Sequence, residues 1–146
     1  MRAYPYLWGQ SKATNERAIP LLQDAIAIDP AYGRAHAFLS WCYAQHLGYI
    51  WTDEPERDLE RSLKAVEAAV GSIDDDPTAL TAVGGALSHC GDQERAAAYL
   101  ERAIALDPNN AWAWHFLLRS CGRGRAEAGH GSAVVPEWIR AFVRGA

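Results

Sequence analysis

The side chains best suited to chemistry are five histidines, three cysteines and two acidic runs. His36, His46, His89, His115 and His130 do not pair at metal-ligand spacing, and His89 and Cys90, being adjacent, point in different directions on a helix. Cys42, Cys90 and Cys121 are odd in number and form no CxxC, which argues against a disulfide framework and a cysteine-rich zinc site. They read as small apolar side chains in helix packing. The runs "TDEPERDLE" and "SIDDDP" carry enough carboxylates for calcium but lack the glycine and closing glutamate of an EF-hand loop. They are better explained as helix starts, where Asp53 or Asp74 to Asp76 would face the positive end of a helix dipole, each worth roughly 0.3–1 kcal/mol. No HExxH, phosphate-binding loop, dinucleotide-binding glycine motif or nucleophile elbow occurs. The expectation is a protein without catalysis, cofactor or metal, whose work is surface recognition.

The chain must therefore be read for the elements that present such a surface. With 146 residues, 49% of them hydrophobic, it is long enough for one substantial core, and two separate cores are not expected. Its apolar runs fall far short of the roughly 20 residues of a membrane span. "MRAYPYLWGQ" has no long apolar stretch of the kind a secretory signal needs, so a cytoplasmic location is expected. The net charge of −4 gives no general attraction to nucleic acid. Within it, residues 111–146 hold five arginines against Glu127 and Glu137, a balance of +3 that leaves −7 for the rest.

Self-similarity organises the chain. Residues 77–110, "PTALTAVGGALSHCGDQERAAAYLERAIALDPNN", predict one helix, a turn at Gly91-Asp92 and a second helix ending at Asp107-Pro108. Leu80, Val83, Gly84 and Leu87 lie at helical spacing on the first, Ala96, Leu100 and Ala103 on the second. Gly84 and Ala96 allow the two backbones to approach closely, Ala103 leaves room for the next helix, and Pro108 stops the pair. Moving back 34 residues gives Ser62, Val66 and Ala69, preceded by His36, Leu39, Ser40 and Tyr43 with ten extra residues around "GYIWTDEPERD". Ala18, Leu22, Ala25 and Pro30 close an earlier unit that opens with "YLWGQSK". The twin endings "AIAIDP" at 25–30 and "AIALDP" at 103–108 are thus two periods of 34 plus that insertion apart.

This order of residues resembles the tetratricopeptide repeat, with leucine at the two aromatic places of residues 77–110. The resemblance implies an all-α fold, a right-handed superhelix of stacked antiparallel helix pairs, built as one domain over 1–146. Its repeats would span about 3–32, 33–76 with the insertion, and 77–110. A fourth unit starts with Trp114, Leu117 and Cys121, then gives way to the glycine-rich "GRGRAEAGHGS" and the amphipathic "VVPEWIRAFVRGA". Two explanations stay open for 111–146: a degenerate repeat or cap, since end repeats are usually atypical, or a reading frame that ends within the array.

In this architecture the first helix of each pair lines a concave groove that holds a peptide or partner helix. The family geometry makes Tyr6, Gln10, Arg34, Trp41, Gln45, Thr78, Thr81, Ser88, His89, Trp112, His115 and Arg119 the groove candidates. Trp41, Trp112 and Arg119 are the types that dominate binding energy, although either tryptophan could instead pack between repeats. The expected function is a non-catalytic protein interaction scaffold. The lengthened second unit and "AYPYLWGQ" are also similar to repeat regions that follow nucleotide-cyclase or winged-helix domains in bacterial signalling proteins, which implies a regulatory role. Two rival readings are self-assembly through residues 131–146 and a small-molecule sensor using Trp41, Trp112 and His115.

Overall fold

The computed structural model describes residues 11–127; Tyr6, Gln10, the opening "YLWGQSK" up to Gln10, and the self-assembly segment 131–146 lie outside that span. The described residues form six helices: α1 Lys12–Ile28, α2 Gly33–Gly48, α3 Pro55–Ala69, α4 Pro77–Cys90, α5 Gln93–Leu106 and α6 Ala111–Glu127. None of them is long and apolar enough to cross a membrane.

Local chemistry sets the boundaries. Ser11 caps α1 by accepting from the Thr14 amide. Asp76 caps α4 through the amides of Thr78 and Ala79, with Pro77 in the first turn, and Asp92 caps α5 through Arg95. Gly91 closes α4 at φ +91°, a left-handed conformation that L side chains avoid. Of the acidic residues expected at helix starts, Asp76 takes that place. Asp53 lies ahead of the α3 cap, Glu54, and Asp74 pairs with Arg102 at 3.1 Å.

Each helix packs on its chain neighbours. α4 packs along α5, α2 along α3, and the first helices α2, α4 and α6 also contact one another side by side. The expected pairing of Gly84 with the second helix is present: a Cβ added to Gly84 would sit 2.5 Å from Leu100 Cγ and 3.3 Å from the Ala96 carbonyl oxygen. Leu80, Val83, Leu87, Ala96, Leu100 and Ala103 are all fully buried, as are Ser62, Val66 and Ala69 in the earlier pair. Cys42 is buried too, and burial pushes its thiol up to about 12.

One expectation at the C-terminal end needs correction. On α6 the fully packed residues are Ala113, Phe116, Leu117 and Ser120, whereas Trp114 and Cys121 are half-buried. This is the register of α4, where Ala79, Ala82, Val83 and Ala86 are buried 34 residues earlier, with Phe116 at the place of Ala82. The Trp114 indole N–H donates to the Pro108 carbonyl at 2.9 Å. The helix runs through Gly122 and Gly124 to Glu127, where the sequence suggests loop. A glycine costs a helix about 1 kcal/mol, and Arg123 between the two glycines and Arg125 and Ala126 after them are good helix formers.

The ten extra residues of the second unit are distributed over three places. Relative to α4 and α5, two extend the end of α2, four lie in the loop 49–54, and four add one turn at the start of α3. That extra turn carries Asp58, which is 5% exposed, to a buried polar cluster joining α1, α2 and α3. Asn15 donates from Nδ2 to the Cys42 carbonyl (3.0 Å) and to Gln45 Oε1 (2.7 Å), so its Oδ1 faces His46 Nε2 at 2.9 Å. His46 Nδ1 lies 3.1 Å from Asp58 Oδ2, and Arg61 lies 3.5 Å from Oδ1. Both imidazole nitrogens of His46 thus face an oxygen, Asn15 Oδ1 on one side and Asp58 Oδ2 on the other. Burial opposes ionisation of Asp58, but hydrogen bonds from Thr52 and His46 and the charges of His46 and Arg61 together outweigh it and hold the carboxyl below its ordinary range.

Two outcomes follow for stability. Gly84→Ala gains about 1 kcal/mol of helix propensity but overpacks Leu100 at a cost of about 1–3 kcal/mol. The net is a loss of roughly 1 kcal/mol, read as a lower urea midpoint; an unchanged or higher midpoint would show that α4 and α5 are not in close contact there. For Asp58, a folded-state value below the unfolded one of about 3.9 adds stability above that pH and loses it as pH falls through the folded value. The stability gap between the native chain and Asp58→Asn therefore shrinks on acidification from about pH 7 to about pH 3. Urea titrations across that range measure it, and a constant gap contradicts the stabilising role of the carboxylate.

Candidate functional site

Four groove candidates are turned inward. Trp41 is 4% exposed; its ring is T-shaped to Phe116 at 5.0 Å and lies 5.4 Å from that of His89. Gln45 is buried against Asn15. Thr81 donates to the Pro77 carbonyl (2.7 Å) and accepts from the Asn110 amide (2.8 Å), and Ser88 is bonded to Ser120 across to α6 at 3.2 Å. The expectation that these four face an open groove is corrected: α1 covers Gln45, Asn110 covers Thr81, and the first helices close on Trp41 and Ser88. Gly85 has no side chain to hold its neighbours off: a Cβ there would be 3.0 Å from Trp41 Cζ3 and 3.1 Å from Phe116 Cε2.

Arg34 and Thr78 are half-buried around the α4 cap. Arg34 Nε lies 3.1 Å from Asp76 Oδ2 and its guanidinium is 5.9 Å above the Phe38 ring, while the Thr78 amide donates to Asp76. His89 sits within the aromatic cluster, 6.2 Å from Phe116. These residues tie helices together.

Trp112, His115 and Arg119 do converge. Spaced by three and four residues on α6, they share one helix face and line a shallow pocket of about 420 Å³. Its opposite wall is Tyr49, from the loop after α2, and its floor includes Phe116. The Tyr49 ring stacks on Trp51 at 4.8 Å and lies 6.1 Å from His89. Trp112 stacks on Phe116 at 5.9 Å. A run of rings thus leads from the inserted loop across α4 to α6. Beside Tyr49, Ile50 is 86% exposed at φ +57°, a conformation costing a β-branched residue about 1–2 kcal/mol. Such strain is often held where a loop has a task.

His115 and Arg119 are exposed at the pocket edge, and Arg119 has no ion-pair partner among the described residues. The arrangement can hold a flat or branched apolar group between Tyr49 and Trp112 and face an anionic group with the guanidinium. Sequence reasoning missed Tyr49 and Phe116. The signal for Tyr49 was available in "GYIW", two aromatic residues and an isoleucine in an insertion that has to lie at the surface.

Residues 77–120 match the family model described as tetratricopeptide repeat, less than a third of the chain and the part that spans α4, α5 and most of α6. No curated protein matches the chain. With six helices and no strand among the described residues, the architecture is an all-α helical repeat of the tetratricopeptide type.

Gly85→Ala tests the aromatic floor. The added methyl would press on two buried rings, and overpacking of about 1–3 kcal/mol outweighs the helix-propensity gain of about 1 kcal/mol. The expected result is a modest loss of stability with a changed near-ultraviolet tryptophan dichroism. An unaltered aromatic spectrum would mean that Trp41 and Phe116 do not meet at Gly85.

Proposed function

We propose that this chain is a non-catalytic interaction module that holds a protein partner at the pocket between the inserted loop and α6. Tetratricopeptide repeats generally bind protein partners, and their first helices supply the surface. The observation that carries the reading is the crossing of the insertion: Tyr49 reaches over His89 to stand opposite Trp112, His115 and Arg119. A partner segment with a large apolar side chain next to an acidic one fits this pocket, because stacking on the rings and pairing with Arg119 are then satisfied together. The concave positions between α2 and α4 contribute little, since Trp41, Gln45 and Thr81 are already used by neighbouring helices. A regulatory place in bacterial signalling, in the cytoplasm, is the setting we favour; its support is the similarity of the lengthened second unit to repeat regions of such proteins.

Selection of peptides from a random display library on the immobilised chain tests the site. Enriched peptides should pair a large apolar residue with an aspartate or glutamate. Their affinity should fall about tenfold, ~1.4 kcal/mol, in each of Tyr49→Ala and Arg119→Ala. Peptides that bind both variants as well as the native chain would place the interaction elsewhere.

A further inference from the structure

A second concavity lies on the other side of the stack and owes nothing to the peptide reading above. α1 and α3 leave a cleft between them, about 290 Å³ in volume and floored by α2. Its walls are mostly apolar. α1 contributes Ile26, and α2 contributes Leu39 and the ring of Tyr43. On α3 the residues facing the space are Arg61, Lys64, Ala65 and Ala68, a run at i, i+3, i+4 and i+7 that puts them on one helix face. Two alanines where larger side chains would meet Ile26 and Leu39 leave the volume unfilled.

The lysine and arginine at this cleft, Lys64 and Arg61, face no carboxylate in its lining, which also includes His36. Asp58 reaches Arg61 from behind at 3.5 Å, but its other oxygen is bonded to His46, and the guanidinium, with five donors, is 41% exposed and stacked 5.6 Å over the Tyr43 ring. Lys64 has no ion pair among the described residues. Glu67, one turn from Lys64 on α3, is turned to Arg95 at 2.7 Å. The Tyr43 hydroxyl accepts from Gln23 Nε2 at 3.3 Å, which leaves its own proton to donate. Burial pushes that phenol above its ordinary range, with Arg61 and Gln23 opposing, so the proton is retained. His36 is held by the Pro30 carbonyl through Nε2 at 2.8 Å, which fixes its ring at the edge.

An apolar slot beside two cations and a hydroxyl donor is the pattern of a small-ligand site: mostly apolar lining with a few placed polar groups, near the lower end of the usual size range of about 300–1,000 Å³. It is too small for a helix. We infer that the cleft between α1 and α3 binds a small apolar carboxylate, its carboxylate on Arg61, Lys64 and the Tyr43 hydroxyl and its hydrocarbon part against Ile26, Leu39, Ala65 and Ala68. A neutral ligand of the same shape would bring Lys64 no counter-charge, so charge is the discriminating feature.

The test uses the full chain, 4-phenylbutyrate and the uncharged 4-phenylbutyramide in amide-resolved NMR titrations to millimolar concentration. The acid should give saturable shifts around Gln23 to Ile26 and Lys64 to Ala68, and the amide should bind at least about tenfold more weakly. Lys64→Gln should weaken the acid severalfold without altering the folded spectrum, since Lys64 is exposed. Ala68→Trp, also at an exposed position, should fill the slot and abolish binding, whereas Tyr49→Ala should leave it unchanged and so separates this site from the peptide pocket. Equal binding of acid and amide, shifts confined to other helices, no saturable shift, or an undiminished affinity in Ala68→Trp would each overturn the assignment.

Discussion

The stack depends on two adjacent residues without side chains. Gly84 and Gly85 open α4 on two sides at once: Gly84 admits Leu100 from the partner helix, and Gly85 admits Trp41 from α2 and Phe116 from α6. One contact closes a helix pair, and the other joins consecutive pairs. Because the interior is packed to crystal-like density, a methyl at Gly84 would collide with Leu100 and one at Gly85 would press the two rings back. The same closeness that lets three first helices share one core also removes their concave positions from solvent, so the groove narrows to the rim that α6 and the inserted loop build.

The insertion has two structural consequences that its position alone does not suggest. Its loop brings Tyr49 and Trp51 over the first helices, and its extra turn of α3 carries Asp58 under His46. α1 is therefore joined to α2 partly by a polar cluster, Asn15 with Gln45 and His46, rather than only by the small-on-large packing that holds α4 to α5. Buried polar groups cost several kcal/mol unless satisfied, and here Asn15, Gln45, His46 and Asp58 all lie within hydrogen-bond distance of a partner. A register slip between α1 and α2 would break that matching, so the cluster fixes the angle at which the first unit enters the stack.

The two faces offer different chemistry for a common reason. On the concave side large rings crowd together, and recognition is by stacking with a single guanidinium at the edge. On the convex side alanines leave a slot and cations rim it. In both, the helix supplies spacing and the neighbouring helix supplies the opposite wall, so neither site exists on one helix alone.

Helix positions, their order and the pairing of Gly84 with Ala96 and Leu100 were legible in the sequence, because repeat architecture is written in local periodicity and in small residues at fixed offsets. The convergence of Trp112, His115 and Arg119 was legible for the same reason, since residues spaced by three and four share a face. Other features belong to the tertiary structure. Whether Trp41, Gln45, Thr81 and Ser88 are open or buried depends on contacts with residues distant in the chain, such as Asn15 for Gln45, Asn110 for Thr81 and Ser120 for Ser88. The partner of Tyr49 depends on where a loop lands. That Phe116 meets Trp41 and His89 is decided by which helices lie beside α6, and a single helix carries no record of that.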